Sequence, residues 1–321
     1  MGRPCVSPVA LCVRLNAPAR KQDRAGRERP GKRRGKRPGK RRGTGRAAGT
    51  RGLSGISDPG SGRCPIGEVV ETMDARIVTF FSALPLQAPG TDDDTRAALK
   101  QVEGRLPASP TIVDFGCGTG RSVLALARFL PAARILAIDC AVPFIERLRR
   151  EIATLGLSAR VRAETGDMMR PPALAAGSVD LIWCESAVYF VGLTEALRRW
   201  RPLLGSGGHC VISECEWLTD ERPERARAFW RANYPRMGNR AENLRRIEEA
   251  GYRTLGTHVM SRRGWESYYD LIAEKLDRER AASGPTPLLE GLADECAVYS
   301  TSNDSYGYVY YVVKPDDGER I

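Results

Sequence analysis

The chain has 321 residues and a formal net charge of +11, enough length for one large domain or two modest ones. The charge is unevenly placed: residues 1–63 hold 18 Lys and Arg against only Asp23, Glu28 and Asp58, which leaves the rest of the chain mildly acidic. The basic balance therefore belongs to the tail and gives no ground for a nucleic-acid function of the foldable part.

Nine cysteines are scattered without a C-x-x-C pair, and there are two histidines, so no metal site is expected. Several of the cysteines fall in or beside expected strands, where a free thiol behaves as a small apolar residue, and a reducing, cytoplasmic setting is expected. No apolar run reaches the roughly 18 residues of a membrane span, and Val9 to Val13 is too short for a signal peptide.

Residues 1–63 are dominated by Arg, Lys, Gly and Pro and cannot bury enough apolar surface to offset chain entropy, so a disordered basic tail is expected. Three readings compete for it: a polyanion-binding arm, an Arg-rich targeting peptide, or a gene-start artefact with translation beginning at Met73. The last is preferred, because the foldable pattern begins only near Glu71. One domain is then expected over 71–321.

From Thr111 onward strands and helices alternate. Thr111–Phe115 reads as a buried strand, and Ser122–Leu130 as a helix with Val123, Leu126, Ala127 and Leu130 on one face. Strands are predicted over 134–138, 160–163, 179–183 and 209–213, with helices over 142–155 and 193–204. The rhythm breaks after Glu214. Helices are predicted over 219–237, 240–250, 265–282 and after Thr286, and strands over 252–260 and 306–313. Alternating short strands and helices imply a doubly wound, Rossmann-like α/β fold with a mostly parallel sheet. Residues 217–250 and 264–300 are expected to form a helical lid. The aromatics Trp217, Trp230, Tyr234, Trp265, Tyr268 and Tyr269 could line it, although aromatics at such spacing are more often core.

The most informative segment is Val113-Asp-Phe-Gly-Cys-Gly-Thr-Gly120, which leaves a strand and enters a helix. Glycines let the backbone turn tightly and approach a ligand, and the helix N-terminus offers N–H groups. A dinucleotide fingerprint would need Gly at 121, where Arg121 stands, and no Lys-Ser/Thr pair makes a P-loop. Asp139 ends the second strand, where a carboxylate can accept from both hydroxyls of a ribose. Asp167 follows the third strand. Its carboxylate can accept from an adenine amine, and the Met168 N–H can reach a ring nitrogen. Singly, each acid reads as a solvated strand end; at three successive strand ends the acids and the glycine loop outline one adenosyl pocket.

These motifs resemble the class I S-adenosylmethionine-dependent methyltransferases over roughly Met73 to Lys314. Leu181 to Tyr189, Ser213 to Pro223, Tyr234-Pro235, Glu248 to Tyr252 and Tyr306 to Tyr310 are similar to a bacterial subgroup of largely uncharacterised members. The resemblance implies a seven-stranded sheet with an antiparallel last strand. It also implies S-adenosylmethionine as cofactor, held by Asp114, Gly116, Gly118, Asp139 and Asp167, with Cys117, Gly120, Cys140 and Met168 completing the candidate set. Ser261 stands where this subgroup is expected to carry proline, and His258 is also unusual. Both are expected to affect the substrate wall, though a strand histidine is more often packed.

Methyl transfer from a sulfonium is an in-line displacement in which the protein mainly aligns the nucleophile. The loop after the fourth strand offers Glu185, to orient or deprotonate the acceptor, and Tyr189, to line the pocket; Glu185 could equally contact the cofactor or a neighbouring N–H. Glu214 is a weaker candidate. A small-molecule acceptor is expected. A nucleic-acid acceptor is disfavoured by the acidic folded part and by the absence of an Asn/Asp-Pro-Pro-aromatic motif after the fourth strand. A non-catalytic cofactor-binding protein is the third reading. An enclosed pocket above the glycine loop would favour the first.

Overall fold

Seven strands form one sheet in the computed structural model, which describes residues 75–171, 174–302 and 304–316. The basic tail and Met73 lie outside the described residues. The strands are β1 (Thr111–Phe115), β2 (Arg134–Asp139), β3 (Val161–Thr165), β4 (Val179–Cys184), β5 (Leu204–Trp217), β6 (Tyr252–Val259) and β7 (Tyr306–Pro315). The helices are α1 (Ala75–Ser82), α2 (Asp92–Lys100), α3 (Arg121–Phe129), α4 (Val142–Thr154), α5 (Leu193–Trp200), α6 (Glu224–Asn233), α7 (Arg240–Glu249), α8 (Arg262–Ser283) and α9 (Pro287–Ser300).

The strand order is β3-β2-β1-β4-β5-β7-β6. Strands β1 to β5 pair in parallel, and β7 runs antiparallel between β5 and β6. The order reverses between β1 and β4, the switch point where open α/β sheets bind ligands. This is the expected doubly wound, seven-stranded sheet with its antiparallel last strand. One face packs against α1 to α4 and against α6, α8 and α9. The other packs against α5 and α7, with Trp200, Ile247 and Tyr252 at its centre. Residues 240–249 of the expected lid segment thus sit with α5 and β6 on the opposite side from α6, α8 and α9. The six aromatics named for the lid are all buried core residues.

Element ends differ from the sequence reading for local reasons. Strand β5 runs to Trp217 because β7 pairs with it from Cys210 to Trp217, beyond its last β4 partner at Ile212. Helix α5 gives way after Trp200 to a short 3-10 turn at Arg201–Leu203, which holds Pro202, a residue without an N–H to donate. Helix α6 starts only at Glu224, after Pro223. Helices α1 and α2 were not predicted, although Thr91 followed by three aspartates is a readable helix start. The Thr91 hydroxyl accepts from the Asp94 N–H at 3.0 Å, and the acids sit at the positive end of the helix. Among the described residues no helix is long and apolar enough to cross a membrane.

Candidate cofactor and acceptor site

The chain leaves β1 at Phe115 and turns through Gly116–Gly120 into α3. Positive φ values of 72°, 56° and 94° at Gly116, Gly118 and Gly120 require residues without a side-chain penalty there. A Cβ on Gly116 would collide with Ala187 after β4, and one on Gly120 would strike Leu148 of α4. The N–H groups of Gly116 and Cys117 both donate to the Ile138 carbonyl, at 2.8 and 3.1 Å, which ties the loop to the end of β2.

Asp139 closes that end. One carboxylate oxygen accepts from the Gly118 N–H and the other from the Ala141 N–H, each at 2.8 Å. Burial raises its pKa while these amides pull it down. Each oxygen keeps a further lone-pair direction that a diol could use.

These groups open on a cavity of about 1260 Å³, counted out to its mouth. Gly116, Cys117, Gly118, Asp139, Cys140 and Met168 all form part of its wall, and Glu185 and Tyr189 stand in the same wall. The switch point therefore brings the predicted cofactor and acceptor residues to one place. Three further predicted cofactor residues, Gly120, Asp167 and Asp114, are not part of that wall. Gly120 seats the start of α3 against Leu148. Asp167 accepts the Met169 N–H at 2.8 Å and shapes the turn after β3. Asp114 is fully buried under the loop, where the Ser122 hydroxyl donates to it at 2.6 Å. Burial pushes the Asp114 carboxyl up to about 8, so it is mainly protonated at neutral pH and ties the loop to α3 as a neutral acid.

The cover over the cavity is a part that the sequence reading missed. Ile77, Val78 and Phe81 of α1 and the segment 86–89 roof it. Gln87 latches this roof: its carbonyl accepts from the Thr119 N–H and hydroxyl at 3.0 and 2.7 Å, while its amide donates to the Phe81 and Leu84 carbonyls. Only the pairing of a distant glutamine with the glycine loop reveals this, and no local pattern announces it.

Glu185 is more heavily engaged than a free base would be. One oxygen is paired with the Arg121 guanidinium. The other accepts from the Thr95 hydroxyl at 3.1 Å and the Trp183 indole N–H at 3.2 Å. Arg121 also reaches Asp92 at 3.3 Å, so the cluster joins α2, α3 and β4. Ser186 follows at φ +54°, a left-handed conformation that costs a non-glycine residue energy and is concentrated at functional turns. Its N–H donates to the Ser213 hydroxyl at 2.7 Å, which fixes the turn to β5. Tyr189 then presents its ring to the cavity and packs 5.9 Å from the Tyr234 ring and 6.4 Å from Tyr308.

His258 and Ser261 do not stand in this wall; both turn to Asp94 at the start of α2. The Ser261 N–H and hydroxyl each donate to the Asp94 carboxylate at 2.8 Å, and His258 Nε2 lies 3.2 Å from it. The proline expected at this position has no N–H to give.

The sheet order and the glycine-loop cavity define a Rossmann-like methyltransferase fold. Residues 112–208 match the methyltransferase domain family. The chain is 39% identical over 109 residues to the biotin biosynthesis bifunctional protein BioCD of Bordetella avium, covering 34% of this chain and 22% of that one. It is 31% identical over 136 residues to the malonyl-[acyl-carrier protein] O-methyltransferase of Dechloromonas aromatica, covering 42% and 48%. The chain thus spans less than half the length of these curated relatives. A solved S-adenosylmethionine-dependent methyltransferase from Thiobacillus denitrificans, in complex with S-adenosylhomocysteine, superposes with a TM-score of 0.64 at 20% identity, over 75% of this chain and 98% of that one. Residues 112–208 thus match a methyltransferase domain, and the chain has the fold of the solved S-adenosylmethionine-dependent methyltransferases, as its motifs implied.

Proposed function

We propose that this chain transfers a methyl group from S-adenosylmethionine to a small-molecule acceptor. The observation that carries the reading is the roofed, mainly apolar cavity at the switch point, with a glycine cradle at one end and the Glu185–Tyr189 turn at the other. The residues fit the cofactor. Side chains are excluded at Gly116 and Gly118, Asp139 offers a carboxylate for a ribose diol, and Met168 lines the adenine end. When bound, the cofactor supplies an electrophilic methyl carbon on a sulfonium.

The chain's own part is to align the acceptor and to keep water away. Arg121, Thr95 and Trp183 hold Glu185, so its best-supported role is to fix the turn that carries Ser186 and Tyr189 rather than to take a proton. Tyr189 lines the acceptor side. The roof of α1 and Gln87 supports a small acceptor over a polymer, because a duplex or a folded protein needs an open approach. The relatives' names include acceptors that are proteins and RNA as well as small molecules, so the acceptor is part of this proposal. A reducing, cytoplasmic compartment suits the six described cysteines, all free thiols.

Calorimetry with S-adenosylhomocysteine tests the reading. Asp139→Ala removes the proposed ribose ligand, whose charge-assisted bonds each contribute about 1.5–3 kcal/mol, and is expected to weaken binding at least tenfold. Unchanged affinity would place the adenosyl group elsewhere. A screen of small acceptors with methyl-labelled cofactor then tests transfer itself.

A further inference from the structure

Among the described residues, the charged side chains in the cavity wall are Arg121, Asp139 and Glu185. Two of them cancel, because the buried Glu185 carboxylate is ion-paired with the Arg121 guanidinium. The remaining hydrogen-bonding atoms of the pair are engaged as well. The guanidinium donates to the Thr95 hydroxyl at 3.0 Å, and the second Glu185 oxygen accepts from Thr95 and from the Trp183 indole. Asp92, the other acid on Arg121, stands outside the wall, is 44% exposed and is shared with Arg128 at 2.7 Å. Asp114 beneath the glycine loop is mainly protonated and adds no charge. Asp139 is left as the uncompensated charge, and it is the proposed ribose ligand. S-adenosylmethionine carries a single net positive charge at neutral pH, so with the cofactor seated on Asp139 the cavity is neutral overall.

The uncharged polar side chains of the wall are also committed within the fold. Gln87 is spent on Thr119, Phe81 and Leu84. The Ser122 hydroxyl donates to Asp114 at 2.6 Å, and the Ser186 hydroxyl to the Pro89 carbonyl at 3.4 Å. Tyr189 and Phe190, with ring centroids 4.2 Å apart, give the acceptor side an aromatic surface, and Phe81 and Leu86 of the roof share the wall with them. A charged acceptor gains a partner of opposite sign here only by parting Arg121 from Glu185. That leaves the other half of the pair buried without its partner, which is costly. An uncharged ring gains from burial against the aromatic surface and leaves the pair intact.

We infer that the acceptor is an uncharged, apolar molecule of aromatic-ring size, and that the Arg121–Glu185 pair is the charge filter that selects it; the inference rests on the methyltransferase reading and names the acceptor class for that site. The filter works by mutual cancellation. Without the Glu185 charge, the wall presents a guanidinium that has lost its buried counter-ion. An arginine stays protonated in such a place, so the cavity then suits a carboxylate. With both charges removed, the wall is neutral again and the preference returns to an uncharged acceptor. The pair therefore determines specificity in addition to fixing the turn that carries Tyr189.

The test uses the full chain saturated with S-adenosylhomocysteine, which lacks the sulfonium, so that the probes read the wall alone. The probes share one shape: p-cresol is uncharged at neutral pH, p-toluate is an anion and p-methylbenzylamine is a cation. Calorimetry is expected to show p-cresol binding at least tenfold more tightly than either ion. Glu185→Gln should raise the affinity for p-toluate relative to p-cresol at least tenfold. Adding Arg121→Met to that variant should restore the preference for p-cresol, a reversal that a merely structural pair would not produce. Either ion equalling p-cresol on the unaltered chain, or no binding of p-cresol, would overturn the inference. So would an unchanged ratio of p-toluate to p-cresol affinity in a folded Glu185→Gln chain. Loss of S-adenosylhomocysteine binding in a folded Glu185→Gln chain would give the pair to the cofactor and overturn the inference too. If the variants do not fold, the comparison of the probes on the unaltered chain decides. Failure of the unaltered chain to bind S-adenosylhomocysteine would overturn the methyltransferase reading and this one with it.

Discussion

Ser261 gives Asp94 two hydrogen bonds at once, from its N–H and from its hydroxyl, both at 2.8 Å, and so pins the start of α8 to the start of α2. Asp94 is 2% exposed. Burial alone would raise its pKa, but Thr91, Ser261 and His258 outweigh that and hold it below the ordinary aspartate value of 3.8. Ser261→Pro removes both donors and is expected to destabilise the fold by about 2–4 kcal/mol, with Ser261→Ala costing about half as much. Urea unfolding of the two variants measures this. A depressed pKa means stability that is present above pH 3.8 and lost as pH falls through the folded value, so the two proteins should converge in strong acid. A Ser261→Pro variant as stable as the parent at neutral pH would mean that the Asp94 junction is not under load.

Glu185 and Arg121 form an ion pair whose carboxylate is 5% exposed and whose guanidinium is 19% exposed. Breaking such a pair leaves one charge buried alone, at a cost on the order of 3 kcal/mol. Glu185→Gln and Arg121→Met should each lower the melting temperature markedly, and the double variant should recover part of the loss. If Glu185 were instead a general base, Glu185→Gln would cut turnover by about 10²-fold with little change in stability. Melts alongside an acceptor assay separate the two outcomes.

Glu295 is buried in α9, with one oxygen accepting from the Tyr269 hydroxyl at 3.1 Å and the other without a partner among the described residues. Burial pushes it up to about 8, well above the ordinary glutamate value of 4.5. The folded state therefore keeps a proton that the unfolded state releases above pH 4.5. Its contribution to stability is full below pH 4.5 and declines until about pH 8. Glu295→Gln removes this titration. Its unfolding free energy, followed from pH 5 to 8, should fall less steeply than that of the unaltered chain, and identical slopes would exclude the buried acid as a cause.

A chain that begins at Met73 is expected to fold and to bind S-adenosylhomocysteine as the full chain does, because every residue of the cavity wall lies at or after Ile77. Thermal melts with and without S-adenosylhomocysteine check this. Loss of folding or of the ligand-induced shift on shortening would show that the basic tail contributes to the domain.

The sequence by itself determined the alternation of strands and helices, the glycine turn after β1 and the acid that ends β2. Each is a local matter: buried strands demand short apolar runs, a turn at positive φ demands glycine, and a strand end admits a carboxylate. The role of Glu185 was not legible in this way. Its partners Thr95, Arg121 and Trp183 come from α2, α3 and β4, and only packing decides which donors surround a carboxylate. The roof latched by Gln87 and the Asp94 junction to Ser261 belong to the same class. In each case residues far apart in the chain meet in a buried place, where the low dielectric makes the presence or absence of one hydrogen bond decisive. Local pattern set which elements form; tertiary contact set which of their polar groups are satisfied, and therefore which remain to act on a ligand.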